Sequence, residues 1–187
     1  MAWQIPRESD YTVPRPDCPH PEWWTSENNM ATERELDELV AAFVRAVQPE
    51  FVLEIGSHYG QGAELIGKAL QQNGHGKCVS LEIDEPLSNS ARWRTQAVKD
   101  VVEIVTANSL EYIPPVPVDL LYVDGSPNRV MDVEHFVPYC RPGTIILIHD
   151  MAHQNYAIQL PRIYELCGPN HVFVNSPRGM AIIELPK

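Results

Sequence analysis

Four places in this sequence put residues able to bind a ligand or move a proton where an apolar run gives out. Phe51-Val52-Leu53 leads into Glu54-Ile55-Gly56-Ser57-His58-Tyr59-Gly60-Gln61-Gly62. Glycines at 56 and 60 let the backbone approach a ligand closely, and a helix beginning there aims its first N–H groups at it. A second run, CVSLEID, ends in Glu82-Ile83-Asp84. A carboxylate at that distance from a glycine loop can accept both hydroxyls of a ribose. Glu82 is the expected acceptor, because Asp84 stands one step further on, before Pro86, where it would cap a helix. Two later apolar runs close on Asp124-Gly125 and on His149-Asp150.

These residues need a scaffold, and the hydrophobic pattern supplies one. Leu36, Leu39, Val40, Phe43, Val44 and Val47 recur on one face of a helix, opened by Thr32 and Glu35 as a capping box and stopped at Pro49. Strands are expected over 51–56, 78–84, 102–107, 118–124 and 144–150, and helices near 61–72, 86–98, 128–139 and 155–166. Near-continuous apolar strands alternating with helices predict a parallel sheet covered on both faces. HVFVNS (171–176) and MAIIELP (180–186) are separated only by Pro177-Arg178-Gly179, too short for a parallel crossover, so they form an antiparallel hairpin. The fold class is α/β, a Rossmann-like, doubly wound, seven-stranded sheet, mostly parallel with an antiparallel C-terminal hairpin. In such a sheet ligands bind beyond the carboxyl ends of the strands.

Composition narrows the partners. With 187 residues the chain builds its own core, and 14 basic against 25 acidic residues, net −11, disfavours nucleic acid and anionic membranes. Cys18, Cys78, Cys140 and Cys167 form no Cys-x-x-Cys, and MAWQIPRESD is no signal segment, so a cytoplasmic protein with reduced thiols is expected. Residues 1–24 hold five prolines plus Trp3, Tyr11, Trp23 and Trp24. They read as an extended arm anchored by aromatics, a candidate dimer contact, with Trp23-Trp24 either packing on the body or roofing a pocket. Residues 25–187 form the domain.

VLEIGSHYGQG resembles the first motif, E/D-x-G-x-x-x-G, of class I S-adenosylmethionine-dependent methyltransferases, with Glu54, Gly56 and Gly60 matching. VSLEID, VDLLYVDGSPN and Pro142-Gly143-TIILI-His149-Asp150 are similar to their later motifs, and the terminal hairpin distinguishes their fold from the nicotinamide-binding one. Within the class the order is most similar to small catechol- and caffeoyl-coenzyme A-type enzymes and to antibiotic-sugar O-methyltransferases. The resemblance implies that Gly56, Ser57, His58 and Tyr59 line the methionine half of S-adenosyl-L-methionine, that Glu82 holds the ribose with Ile83 beside the adenine, and that Asn108 and Ser109 meet the adenine edge. It places Asn28 to Thr32, with Met30, over the methionine carboxylate. In metal-dependent relatives the strand-four Asp and two residues after strand five hold Mg²⁺ or another divalent cation, which implies Asp124, His149 and Asp150 as catalytic and metal-binding residues here. His149 departs from the relatives' acid, and Pro127 stands where the sugar-methylating enzymes carry a catalytic His, leaving His153 as a positional substitute.

The implied activity is methylation of a hydroxyl on a small-molecule acceptor. The alternatives are a non-catalytic S-adenosylmethionine-binding subunit or sensor, and a nicotinamide-dependent oxidoreductase. Against the last stands the failed G-x-G-x-x-G fingerprint, in which His58 occupies the second glycine position.

Overall fold

The computed structural model describes residues 18–27, 31–125, 127–152 and 154–187. Seven strands, β1 (Phe51–Ile55), β2 (Lys77–Glu82), β3 (Val102–Thr106), β4 (Val118–Val123), β5 (Cys140–His149), β6 (His171–Val174) and β7 (Met180–Glu184), form one sheet. Their order is β3-β2-β1-β4-β5-β7-β6. The first five pair in parallel, and β7 enters antiparallel between β5 and β6. This is the expected fold class.

Among the described residues six α-helices cover the two faces: α1 (Arg34–Val47), α2 (Gln61–Asn73), α3 (Glu85–Arg94), α4 (Arg129–Phe136), α5 (Gln154–Ala157) and α6 (Leu160–Cys167). Strand alternation sorts the core. Val52, Leu120, Tyr122 and Leu147 pack with α1, α2 and α3. Phe51, Leu53, Ile55, Leu121, Val123, Ile146 and Ile148 pack with α4, α5 and α6. In α1 the stripe Leu36, Val40 and Val44 is at most 1% exposed, each side chain contributing about 1.5–3 kcal/mol of burial. Alternation also sends Glu54, between Leu53 and Ile55, to the α1–α2 face.

The structure departs from expectation at several ends, each for a local reason. The capping box is not formed: Glu33 is the N-cap residue and makes no side-chain cap bond. Thr32 instead donates to Asp124 Oδ2 at 2.7 Å, and Glu35 accepts from the backbone N–H and hydroxyl of Thr25. Both residues serve tertiary contacts. Strand β5 begins at Cys140, before Pro142-Gly143, and its pairing with β4 shifts register between Val118 and Leu120, beside a left-handed Gly143 (φ 82°). The last helix is broken in two, because Pro161 lies in the first turn of α6 and supplies no N–H to a continuing helix. The break leaves Gln159 buried, accepting from Val130 N and donating to Pro127 O, which fastens the loop after β4.

Of the arm, residues 18–24 are described, and here the tryptophan pair divides. Trp24 packs against the α1–α2 side of the core, whereas Trp23 is exposed and stacked on His20 at 3.9 Å between ring centroids. Trp3 and Tyr11 lie outside the described residues. Among the described residues no helix is long and apolar enough to cross a membrane.

Candidate active site

The carboxyl ends of β1 and β4 meet where the sheet order reverses direction, and two glycines make the junction. A Cβ placed on Gly56 would lie 2.3 Å from the Cα of Gly125, and Gly56 has φ +93°. The first glycine is therefore required by backbone packed on backbone, before any ligand approaches. Gly60 serves the next contact along, its Cβ position being 2.9 Å from the Cα of Ala91 in α3, and it lines neither pocket described below.

Two pockets open on either side of Gly56. One, of about 190 Å³, is lined by Ile55, Glu82, Ile83, Asn108, Ser109 and Pro127 among others. Glu82 Oε2 accepts from His58 N at 2.8 Å and Oε1 from Asp84 N at 3.0 Å, so its carboxylate is fixed in position. Each oxygen keeps a further lone pair for an incoming hydroxyl. Asp84 caps α3 through Leu87 N, as its position predicts, and Ile83 is 72% exposed at the pocket mouth. The polar pair is already engaged. Asn108 accepts from Leu110 N and donates to Glu111, while Ser109 donates to Asp132.

The other pocket is smaller and acidic, with Glu54, Ser57, His58, Tyr59, Thr32 and Asp124 in its wall together with two residues the sequence did not single out, Asp37 and Gln61. His58, at the second glycine position of the failed fingerprint, adopts a left-handed conformation (φ 48°), and burial holds its imidazole below the usual range. Ser57 turns its hydroxyl onto Ser80, which in turn donates to Glu54. Gln61 donates to Asp37 Oδ2, leaving Asp37 Oδ1 and Gln61 Oε1 buried with no hydrogen-bond partner among the described residues. Burial pushes the Asp37 carboxyl up to about 7, Gln61 acting against it and Asp124 adding to it. Burial likewise pushes Glu54 up to about 8, against the Ser80 hydrogen bond. Met30 lies outside the described residues, as do Asn28 and His153, whereas Ala31 and Thr32 line this pocket.

Behind Asp124 the expected trio does converge, with ligand atoms of Asp124, His149 and Asp150 within 4.8 Å of one another. Strand β5 ends at His149, and a left-handed Asp150 (φ 66°) turns the chain so that both side chains reach one place. His149 is fully buried and bonded at both ring nitrogens, Nδ1 to Asp124 Oδ1 at 2.9 Å and Nε2 to Glu33 Oε2 at 2.7 Å. Burial opposes its charge, but Asp124, Asp150 and Glu33 overcome this and raise its pKa to about 10. It is an imidazolium, donating both protons, and offers neither a lone pair to a metal nor a base to a substrate. Burial alone would raise Glu33 and Asp124, yet the charge of His149 brings each down to about 2.

Two arginines complete the cluster. Arg129 Nη2 lies 3.1 Å from Asp150 Oδ2 and 3.2 Å from Asp124 Oδ1, and Arg178 Nε donates to Asp150 Oδ1 at 2.6 Å. The three residues expected as cation ligands thus form a salt-bridge network, and as placed they do not fit a divalent metal. Glu33, Arg129 and Arg178 carry no motif in the sequence. Asp37 left one trace, an acid set inside the apolar stripe of α1.

Residues 53–151, more than half of the chain, match the model of a family described as methyltransferase domain. Among curated proteins none matches in sequence. Solved structures match in fold: the O-methyltransferase TomG from Streptomyces achromogenes in complex with SAM (17% identity, 85% of this chain and 83% of that one, TM-score 0.72) is one. Another is an O-methyltransferase from Bacillus cereus in complex with SAH (20% identity, 83% of each chain, TM-score 0.71). A third is the SAH-bound methyltransferase PaMTH1 of Podospora anserina (15% identity, 100% of each chain, TM-score 0.74). At these identities the likeness is one of fold.

Proposed function

The chain belongs to the methyltransferase-domain family, and from that premise we propose that it transfers the methyl group of S-adenosyl-L-methionine to a hydroxyl of a small molecule. One observation carries the cofactor reading: the two pockets that share Gly56 match the two halves of that molecule. Glu82 takes the ribose hydroxyls, Ile83 covers the adenine, and the main chain of Asn108–Leu110, rather than the two engaged side chains, edges the base. The acidic pocket takes the methionine end. Asp37 Oδ1 and Gln61 Oε1, in residues of its wall, are acceptors without donors among the described residues, and an α-ammonium brings three N–H groups to them. Structures of the same fold crystallised with SAM or SAH support the choice of cofactor.

The sulfonium supplies an electrophilic methyl carbon, so the protein's work is alignment and exclusion of water. Thr32, Tyr122 and Asp124 form the wall between the acidic pocket and the buried cluster. The acceptor approaches over that wall from the side of the loop after β5. As the oxygen–carbon bond forms, the carbon–sulfur bond breaks, its electron pair stays on sulfur, and the hydroxyl proton leaves to solvent. Residues 1–24 are assigned to the acceptor and not to the cofactor, and a chain beginning at Thr25 should keep cofactor affinity within a few-fold while losing turnover; full activity would reduce the arm to packing.

Calorimetric titration with S-adenosylmethionine, S-adenosylhomocysteine and NAD tests the cofactor reading. Binding of NAD alone would return the chain to the oxidoreductase alternative. Release of S-adenosylhomocysteine across a panel of phenols, sugars and alcohols tests catalysis, and binding without release from any of them would favour the non-catalytic subunit.

A further inference from the structure

We propose that the guanidinium groups of Arg129 and Arg178 occupy in this chain the place that a divalent cation takes in metal-dependent methyltransferases of the catechol type, so that its acceptor is held through one oxygen and is not chelated. The inference rests on the methyltransferase reading but is carried by the buried cluster itself.

A cation between the ends of β4 and β5 needs inward-facing lone pairs. Magnesium in particular demands near-octahedral geometry from oxygens at short range. Asp124 spends Oδ1 on His149 and Arg129, and Oδ2 on Thr32, with Tyr122 at 3.3 Å. Asp150 spends one oxygen on each arginine. His149 has both ring nitrogens turned to carboxylates. Asp124 and His149 have no lone pair left for a cation, and each oxygen of Asp150, already bound to a guanidinium, keeps one at most.

Charge makes the same point independently. Glu33, Asp124 and Asp150 supply three negative charges, and His149, Arg129 and Arg178 three positive ones, each joined to at least one of opposite sign. The cluster is neutral as it stands. Adding a dipositive ion would require the loss of two of these cations, and each is anchored a second time. Arg178 Nη1 donates to Ala31 O at 2.7 Å, Arg129 Nε points to His149 O, and the Arg129 guanidinium lies 5.0 Å from the centroid of the Tyr156 ring. Their side chains are 2% and 9% exposed, so neither swings aside into solvent without unpacking its surroundings.

The substrate class follows. A bound metal fixes two vicinal oxygens together and lowers a hydroxyl's pKa. An internally satisfied guanidinium pair does neither, so the acceptor presents a single hydroxyl, acidic enough to ionise without a Lewis acid, as in a phenol or an enol. A vicinal diol gains no advantage over a monohydroxyl of the same acidity.

The test uses the full chain stripped of metal on a chelating resin and saturated with S-adenosylhomocysteine. Free Mn²⁺ is followed by its electron paramagnetic resonance signal, and melting is followed with and without Mg²⁺ or Mn²⁺. Free Mn²⁺ should track added Mn²⁺ without a break. The melting temperature should stay within about 1 °C, where a metal at about a hundred times its Kd would raise it by several degrees. Stoichiometric uptake that shows imidazole-nitrogen modulation of the bound Mn²⁺, or that is lost in Asp150→Asn, overturns the proposal. Uptake with no such modulation that persists in Asp150→Asn places the ion elsewhere and upholds it. S-adenosylhomocysteine affinity of the stripped protein is measured in parallel; its absence would refute the cofactor reading alone, whatever the manganese does.

Discussion

Replacing Glu33 by Gln removes one charge from the neutral cluster and keeps the shape. Glu33 is 2% exposed and accepts from three donors: His149 Nε2 at 2.7 Å, Ser176 Oγ at 2.8 Å and Arg178 N at 2.8 Å. Gln turns an NH₂ toward one of them and leaves the His149 charge with one carboxylate fewer. The folded carboxyl sits at about 2 against an ordinary 4.5, which at about 1.4 kcal/mol per pH unit corresponds to roughly 3 kcal/mol of stability at pH 7. That agrees with about 3–5 kcal/mol for breaking a buried pair. Because the pKa is depressed, this contribution is complete above about 4.5 and is lost as the pH falls through about 2. The His149 end has the opposite sign. Its raised pKa gives stability that is complete below 6.5 and lost as the pH rises through about 10. The two shifts describe one contact from its two ends and are not added. Urea denaturation of wild type and Glu33→Gln across this range should show a loss of about 3 kcal/mol at pH 7 with an unchanged m-value. In the variant the alkaline decline should be smaller and end at lower pH, since losing Glu33 lowers only the folded-state pKa of His149. A loss below about 1 kcal/mol, the range of a surface pair, would refute the claim that this cluster holds the site together.

Glu82→Ala should weaken S-adenosylmethionine binding by about 1.5–3 kcal/mol in calorimetry, the scale of hydrogen bonds to a charged group; unchanged affinity in a folded variant would remove Glu82 from the site. Gly56→Val should destabilise the unliganded protein, since strain at positive φ alone costs about 1–3 kcal/mol and the added side chain also meets Gly125. A variant that melts normally and loses only cofactor affinity would show that ligand approach, not backbone contact, is what the glycine serves. Asp37→Asn should cost S-adenosylmethionine about tenfold in affinity, near 1.4 kcal/mol, and leave adenosine binding untouched. In wild type, affinity should fall as the pH drops below about 7 and Asp37 takes up a proton; equal losses for both ligands would place Asp37 outside the ammonium site.

The sheet was legible because its strands are apolar and its turns are punctuated. Val52, Leu53 and Ile55 announce a doubly covered strand, and three residues between the last two runs permit only a hairpin. Ligand-facing residues at strand ends were legible for the same reason, since topology fixes where ends go. What escaped were partners supplied by other elements. Thr32 and Glu35 have the spacing of a capping box, and nothing local reveals that Asp124 and Thr25 compete for them and win. Arg129 opens a helix and Arg178 sits in a hairpin turn, ordinary places for solvated charges. Only folding brings them to the acids of β4 and β5. The family resemblance implies a metal at those acids, and nothing local in the sequence shows that two guanidinium groups reach them as well.

A core cluster whose charges cancel has little field beyond its own edge, so dissolved ions have little to screen there. The imbalance of the chain, 14 basic against 25 acidic residues, lies outside it, and among the described residues most of those acids are exposed or half-buried. Salt therefore acts on the two populations unequally. At about 0.15 M the screening length is near 8 Å, short enough to quieten repulsion between surface acids and too coarse to reach contacts of about 3 Å in the interior. The protein should grow more stable, not less, as ionic strength rises from low values, although much of its active-site architecture is electrostatic.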